Sequence, residues 1–188
     1  VFGALLLACA LAVPIGLAMG MSRIMRGIFD PPLEFYRPVP PLAYLPLMIV
    51  WFGIGELSKV LLIFLAIFAP VAIGTRSGVR SAAIEQIHAA YSLGASRWQV
   101  LWQVILPAAL PEIITSVRIG MGVGWTTLVA AEMVAATNGI GFMVLSASEF
   151  LQTSTVILGI VIIAAIAYAF DQVMRLLERR LVPWKGRM

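Results

Sequence analysis

"HAAYSLGASRWQVLWQVILPAALP", residues 88–111, lies between two stretches apolar enough to cross a bilayer. It reads as two short amphipathic helices joined at a glycine corner and stopped by proline. Ser81 is placed to cap a first helix over 82–93, with Glu85 in its first turn, where the helix dipole favours negative charge. Ile84, Ile87 and Tyr91 recur at helical spacing and form an apolar stripe with His88 at its edge. Gly94 supplies the residue that ends a helix in the left-handed region. Ser96 and Gln99 make the capping-box pattern of a second helix. Pro107 is expected to stop that helix near Leu106, because proline disfavours helical geometry in the residue before it. Trp98, Leu101, Trp102, Val104 and Ile105 cover most of its circumference and leave Gln99 and Gln103 as a narrow polar strip. So much apolar surface marks contact with a membrane or a protein. A hairpin lying on the inner leaflet would explain the tryptophans. Two capped helices at a tight corner fit a protein-docking element better.

The composition around this hairpin is that of a membrane protein. Of 188 residues, 61% are hydrophobic and 12% charged, with a mean hydropathy of +0.99. Soluble domains are closer to half apolar and a quarter charged. The net charge of +4 is no nucleic-acid signal, since no Lys/Arg block is interleaved with aromatics. The single cysteine, Cys9, sits in an apolar run, which excludes a disulfide framework and metal-ligand spacing. The first apolar segment lacks a basic leader region and a cleavage site, so it does not read as a signal peptide.

About 20 apolar residues cross a bilayer core of about 30 Å. Five segments meet this length or nearly so: 1–21, 38–55, 57–75, 113–131 and 150–170. Their continuous apolar character favours helices over barrel strands. The connections 22–37 and 76–112 and the tail after 170 carry all of the Lys and Arg residues except Lys59 and Arg118, whereas 132–149 has none. The positive-inside rule therefore places the hairpin and the tail in the cytoplasm and Asn138 outside. The assignment alternates without conflict and leads to the expectation of one further span before Val1. One all-α integral membrane domain, 1–188, results. Glu34 and Arg37 flank the cytoplasmic entry to the second span, where an ion pair between them is one reading.

The hairpin also resembles the EAA signature of bacterial ABC-importer permeases: Glu-Ala-Ala, three residues, Gly, nine residues, Ile, one residue, Leu-Pro. Here His88, Ala89 and Ala90 are followed by Gly94, then Val104, Leu106 and Pro107 at matching spacing. His88 replaces the family's Glu and Val104 its Ile. The blocks "RPVPPLAYLPLMIVWFGIGELSKVLLIFLAIFAPV" (37–71), "GVGWTTLVAAEMVAATNGIGFMV" (122–144) and "RRLVPWKG" (179–186) resemble the taurine/sulfonate/nitrate branch, its taurine members above all. The resemblance implies the type I importer permease fold, with six spans and a hairpin (81–107) that seats in a cleft of a separate ATPase. It assigns ATPase coupling to His88, Ala89, Ala90, Gly94, Ala95, Ser96, Leu106 and Pro107. It also implies a homodimer, two ATPase subunits carrying ATP and Mg, a periplasmic substrate-binding protein, and a place in the bacterial inner membrane with the C-terminus cytoplasmic. No catalytic residue, metal or cofactor is expected in this chain. Consistently, it has no Gly-x-x-x-x-Gly-Lys-[Ser/Thr] loop, and "GIGELS" and "NGIGF" lack the lysine that would hold a phosphate.

Five residues in and beside the fourth span are candidates for the pathway or for packing. Arg118 is a charge inside a span, read either as a station for an anion in transit or as a structural group paired within the protein. Gly120 and Gly124 allow close helix approach, as do Gly16 and Gly20. Trp125, like Trp51 and Trp184, reads as a packing or interfacial anchor. Glu132 is placed to hold the turn 138–141. An ion-coupled secondary transporter is the rival function, but the titratable midplane groups and internal repeats it commonly shows are not evident. A permease for nitrate or another small anion is the alternative within the family.

Overall fold

The computed structural model describes residues 1–183. They form helices α1 Phe2–Met21, α2 Arg23–Tyr36, α3 Leu45–Phe52, α4 Glu56–Arg80, α5 Ile84–Ser92, α6 Arg97–Val100, α7 Leu106–Ala135, α8 Ile140–Glu149 and α9 Thr153–Leu181. A 3-10 turn, Pro41–Tyr44, leads into α3, and a π turn, Leu101–Ile105, joins α6 to α7. Among the described residues, four helical stretches are long and apolar enough to cross a membrane: Phe2–Met21, Glu56–Arg80, Arg97–Ala135 and Thr153–Leu181.

Helix α4 is the hub. Its Leu62, Ile63, Ile67, Val71 and Ala72 are fully buried or nearly so, packed between α1 and α7. On α1, a Cβ at Gly16 would lie 2.6 Å from the Ala72 carbonyl oxygen, and one at Gly20 would lie 2.5 Å from Val79. Because 16 and 20 meet 72 and 79 in order, α1 runs parallel to α4. Two parallel neighbours need a return crossing between them.

That return is where the structure departs from the expected continuous span over 38–55. Asp30 on α2 pairs with Arg76. Tyr36 packs on the cluster containing Ala69. Leu45 and Met48 pack on Leu62, and the Ser58 hydroxyl donates to the Gly53 carbonyl at 2.5 Å. The chain from 23 to 52 thus climbs antiparallel along α4 from its Arg80 end to its Glu56 end. It does so as two half-length helices separated by Arg37-Pro38-Val39-Pro40. Prolines 38, 40 and 41 lack the N–H groups a continuous helix requires, and Pro40, directly before Pro41, is extended at φ −57°, ψ 130°. The antiparallel return along α4 is a broken helix that begins 15 residues before the expected span.

The span expected at 113–131 is also longer. Helix α6, the π turn and α7 form one 39-residue stretch, Arg97–Ala135, so Pro107 does not stop the helix at Leu106. The Leu106 N–H bonds to the Leu101 carbonyl, five residues back. Widening the coil by one residue per turn just before Pro107 accommodates the ring and its missing donor. Helix α9 likewise runs past 170 to Leu181, and α8, within the connection 132–149, packs between α7 and α9.

The α4–α7 contact gives a direct stability test. A Cβ at Gly74 would lie 2.2 Å from the Ser116 Cβ, whereas one at Gly122 would meet nothing within 4 Å. Gly74→Ala is expected to destabilise by about 1–3 kcal/mol through overpacking, and Gly122→Ala to be neutral or stabilising by up to about 1 kcal/mol through helix propensity. Thermal unfolding of the detergent-solubilised variants checks the pair; equal melting temperatures would contradict it.

Candidate functional site

The corner between α5 and α6 is built from backbone hydrogen bonds. Gly94 has φ +83°. Its N–H donates to the Tyr91 carbonyl at 2.9 Å, and the Ala95 N–H donates to the Ala90 carbonyl at 3.0 Å. These two bonds are the Schellman pair that satisfies the last carbonyls of a helix. Immediately after, the Ser96 N–H donates to Gln99 Oε1 at 2.8 Å and the Gln99 N–H to Ser96 Oγ at 3.4 Å, a complete capping box. One helix end and the next helix start are thereby closed within six residues, 94–99, which makes the corner rigid.

At its start the hairpin differs from expectation. Ser81 does not cap α5; it ends α4, where its hydroxyl donates to the Gly78 carbonyl at 2.8 Å. Helix α5 begins at Ile84 after Ala83, which makes no side-chain cap. Proximity to the preceding helix end captures the hydroxyl before a new helix can use it. Glu85 does occupy the first turn of α5. His88 and Ala89 are exposed and Ala90 half-buried, while the His88 carbonyl accepts from the Ser92 hydroxyl at 3.0 Å. Leu106 and Pro107 are half-buried in the continuing helix.

Little of the chain covers this hairpin. Leu93 at the corner is 89% exposed, Trp98 69% and Trp102 60%, and Ile84 and Tyr91 are exposed on α5. Among the tip residues from Leu93 to Trp102 only Val100 is buried. An apolar corner held rigid by its own hydrogen bonds and left uncovered has the form of a docking knob.

The five candidates in and beside the fourth span do not converge on one place. Gly120 and Gly124 face α4, where a Cβ would approach Ile67 at 3.1 and 2.8 Å. Arg118 faces α9: its Nε lies 2.7 Å from Asp171 and its guanidinium 3.5 Å from Glu178. Trp125 also faces α9 and packs edge-on to Phe170 with centroids 5.5 Å apart. Its indole N–H is buried without a hydrogen-bond partner among the described residues. Glu132 accepts from the Gly141 N–H at 2.9 Å and lies against Gly139, whose φ is +128°. Trp51 is largely exposed, and Trp184 lies outside the described residues.

A different face of α7 lines a cavity of about 470 Å³ shared with α2, the 3-10 turn and α4. Tyr36, Arg37, Ser77, Glu112, Thr115 and Ser116 are the polar residues of its lining. Arg37 is thus not at a cytoplasmic entry but at the break of the crossing, beside Tyr36, and it makes no ion pair with Glu34 among the described residues. Sequence reasoning passed over Arg37 as a flanking charge. The signal was the proline cluster directly after it, which a run-length criterion for spans ignores.

Residues 12–183 match the family described as binding-protein-dependent transport system inner membrane component. The chain belongs to this family. It is 63% identical to the taurine transport system permease protein of Escherichia coli (strain K12), over 97% of this chain and 66% of that protein. It is 41% identical to a permease protein of Bacillus subtilis (strain 168) provisionally named for aliphatic sulfonates transport, over 96% of this chain and 66% of that protein. The chain therefore spans about two thirds of the length of these permeases. Its fold is also that of a chain in an inward-facing MetNI methionine ABC transporter, with a TM-score of 0.82 at 17% identity over 96% of this chain and 90% of that one. The expected class, an all-α membrane domain with the importer permease fold, is the observed one.

Proposed function

We propose that this chain is the permease subunit of an ATP-driven importer for taurine or a related alkanesulfonate. It forms the passage through the inner membrane, and its C-terminus lies on the cytoplasmic side. It works as a homodimer with two ATPase subunits, which hold ATP and Mg²⁺, and with a periplasmic binding protein that delivers the cargo. The observation that carries the coupling role is the exposed apolar corner at Leu93, Gly94 and Trp98, rigid in itself and uncovered by the chain. The His88, Ala89, Ala90, Gly94, Ala95, Ser96, Leu106 and Pro107 pattern falls on this corner and on the helix leading from it into the membrane. Because α6 continues through the π turn into α7, a displacement of the corner moves a 39-residue lever, and rigid-body motion of helices is how such transporters alternate access. The likeness to the taurine permease supports the cargo class.

Proteoliposomes containing the full-length permease, its ATPase and the binding protein test the reading. Uptake of labelled taurine is expected to require both ATP and the binding protein, and to be inhibited by alkanesulfonates more than by nitrate or bicarbonate. Taurine uptake that persists without ATP would sink the ABC-importer reading. Uptake of nitrate or bicarbonate in preference to taurine would move the chain to another cargo.

A further inference from the structure

We propose that the cavity between α2, the 3-10 turn, α4 and α7 is a transit site for a small zwitterion, whose strong-acid end meets Arg37 and whose ammonium end meets Glu112. The proposal rests on the sulfonate permease function given above. Charges at membrane depth are costly unless paired or facing a water-filled space. Three such groups along the long helices are paired: Arg76 with Asp30, Arg118 with Asp171 and Glu178, and Lys59 with Glu56. Arg37 and Glu112 alone line this cavity with opposite charge, and among the described residues neither has an ion-pair partner.

Their places along α4 are fixed by contact. The residue preceding Arg37 packs at the level of Ala69, and Glu112 packs against Gly78. Nine residues of helix separate those levels by about 13 Å, so the two side chains enter the cavity from opposite ends. Between them, the Thr115 and Ser116 hydroxyls donate back to the Pro111 and Ile113 carbonyls, each at 2.8 Å. The Ser116 hydroxyl, committed as a donor, offers only acceptor lone pairs inward. That suits the ammonium end, next to Glu112, and leaves the acid end to Arg37. The volume of about 470 Å³ holds a two-carbon aminosulfonate together with several waters, each needing about 30 Å³.

The broken crossing supports the same conclusion. Irregular backbone at membrane depth is tolerated where it lines a cavity, and interrupted helices mark binding sites near the midplane. Here the interruption, Arg37-Pro38-Val39-Pro40, contributes Arg37 and Val39 to the cavity wall. Two fixed opposite charges would orient a zwitterion. They would also disfavour a simple monoanion, which leaves Glu112 unanswered.

The test places a reporter cysteine at Ile73, on the cavity wall, in a Cys9→Ala background of the full-length permease assembled with its ATPase in vesicles. Labelling rates are compared for a sulfonate-bearing methanethiosulfonate and its trimethylammonium counterpart. Arg37→Gln is expected to lower the anionic-to-cationic ratio about tenfold, and Glu112→Gln to raise it severalfold, as a focused local field requires. In complexes that co-purify normally, Arg37→Gln should also cut taurine uptake by about tenfold or more, with Arg37→Lys restoring part of it. An unchanged labelling ratio, or wild-type uptake by Arg37→Gln, overturns the site. If the wild-type complex imports no taurine while the ratio responds as expected, the charged site stands and the taurine reading fails.

Discussion

Gly94→Leu is expected to leave the permease inserted in the membrane and to abolish its coupling to the ATPase. At φ +83° a leucine is forced into left-handed geometry at roughly 1–2 kcal/mol, enough to unwind the end of α5 but not to unfold transmembrane helices. Within the chain a Cβ at this position meets nothing within 4 Å. Any steric loss must therefore arise on the surface that receives the corner. Gly94→Asn separates the two causes, since asparagine tolerates the left-handed region while still adding side-chain bulk. Both variants are expected to lose substrate-stimulated hydrolysis and ATPase co-purification, Leu more completely than Asn. Gly94→Leu complexes that hydrolyse and transport at the wild-type rate would remove the coupling role from this corner.

Arg118→Asp is expected to cause the largest loss of assembled protein. The substitution puts a third carboxylate beside Asp171 and Glu178, which now share one guanidinium at 2.7 and 3.5 Å. Breaking one partner out of a partly shielded charge cluster and adding a like charge both oppose packing. Helix α9 is especially exposed to such a change, because Gly159 is its only buried residue. A second substitution, Asp171→Arg, should recover part of the loss by restoring an opposite pair. Recovery stays incomplete because Arg175, 2.7 Å from Asp171, then faces a like charge. Membrane yield and melting temperature across the double-mutant cycle measure this coupling. Wild-type yield for Arg118→Asp alone would show that the α7–α9 pair is not structural.

The hairpin corner was readable in the sequence because it obeys local rules. Ser96, Gln99 and Gly94 determine their own geometry within a few residues, and the observed capping box and Schellman bonds involve no distant partner. The long apolar helices were readable for a similar reason, since run length alone nearly fixes a crossing. Where competition between neighbours decides, local rules gave the wrong owner or the wrong end. Ser81 serves the helix behind it rather than the one ahead, and Pro107 is absorbed by a π turn. The broken crossing was hidden differently. Apolar residues over 38–55 satisfy a hydropathy window whether or not prolines interrupt them, so by run length 22–37 reads as a connection rather than as the start of the crossing. Arg118 could be flagged from its position in a span, but its partners lie 53 and 60 residues further along the chain and depend on which face of α7 meets α9. The Arg37–Glu112 cavity follows from the same kind of non-local placement.

A photo-crosslinking benzophenone side chain placed at Leu93, 89% exposed at the corner, tests the docking role directly. In membranes containing the complete transporter, illumination is expected to join the permease to its ATPase subunit, in a yield that changes between the nucleotide-free and ATP-bound states. The same group at Asn138 should give no crosslink to the ATPase. A crosslink from Asn138, or none from Leu93 in a complex that transports normally, would contradict the assignment of α5–α6 as the coupling element.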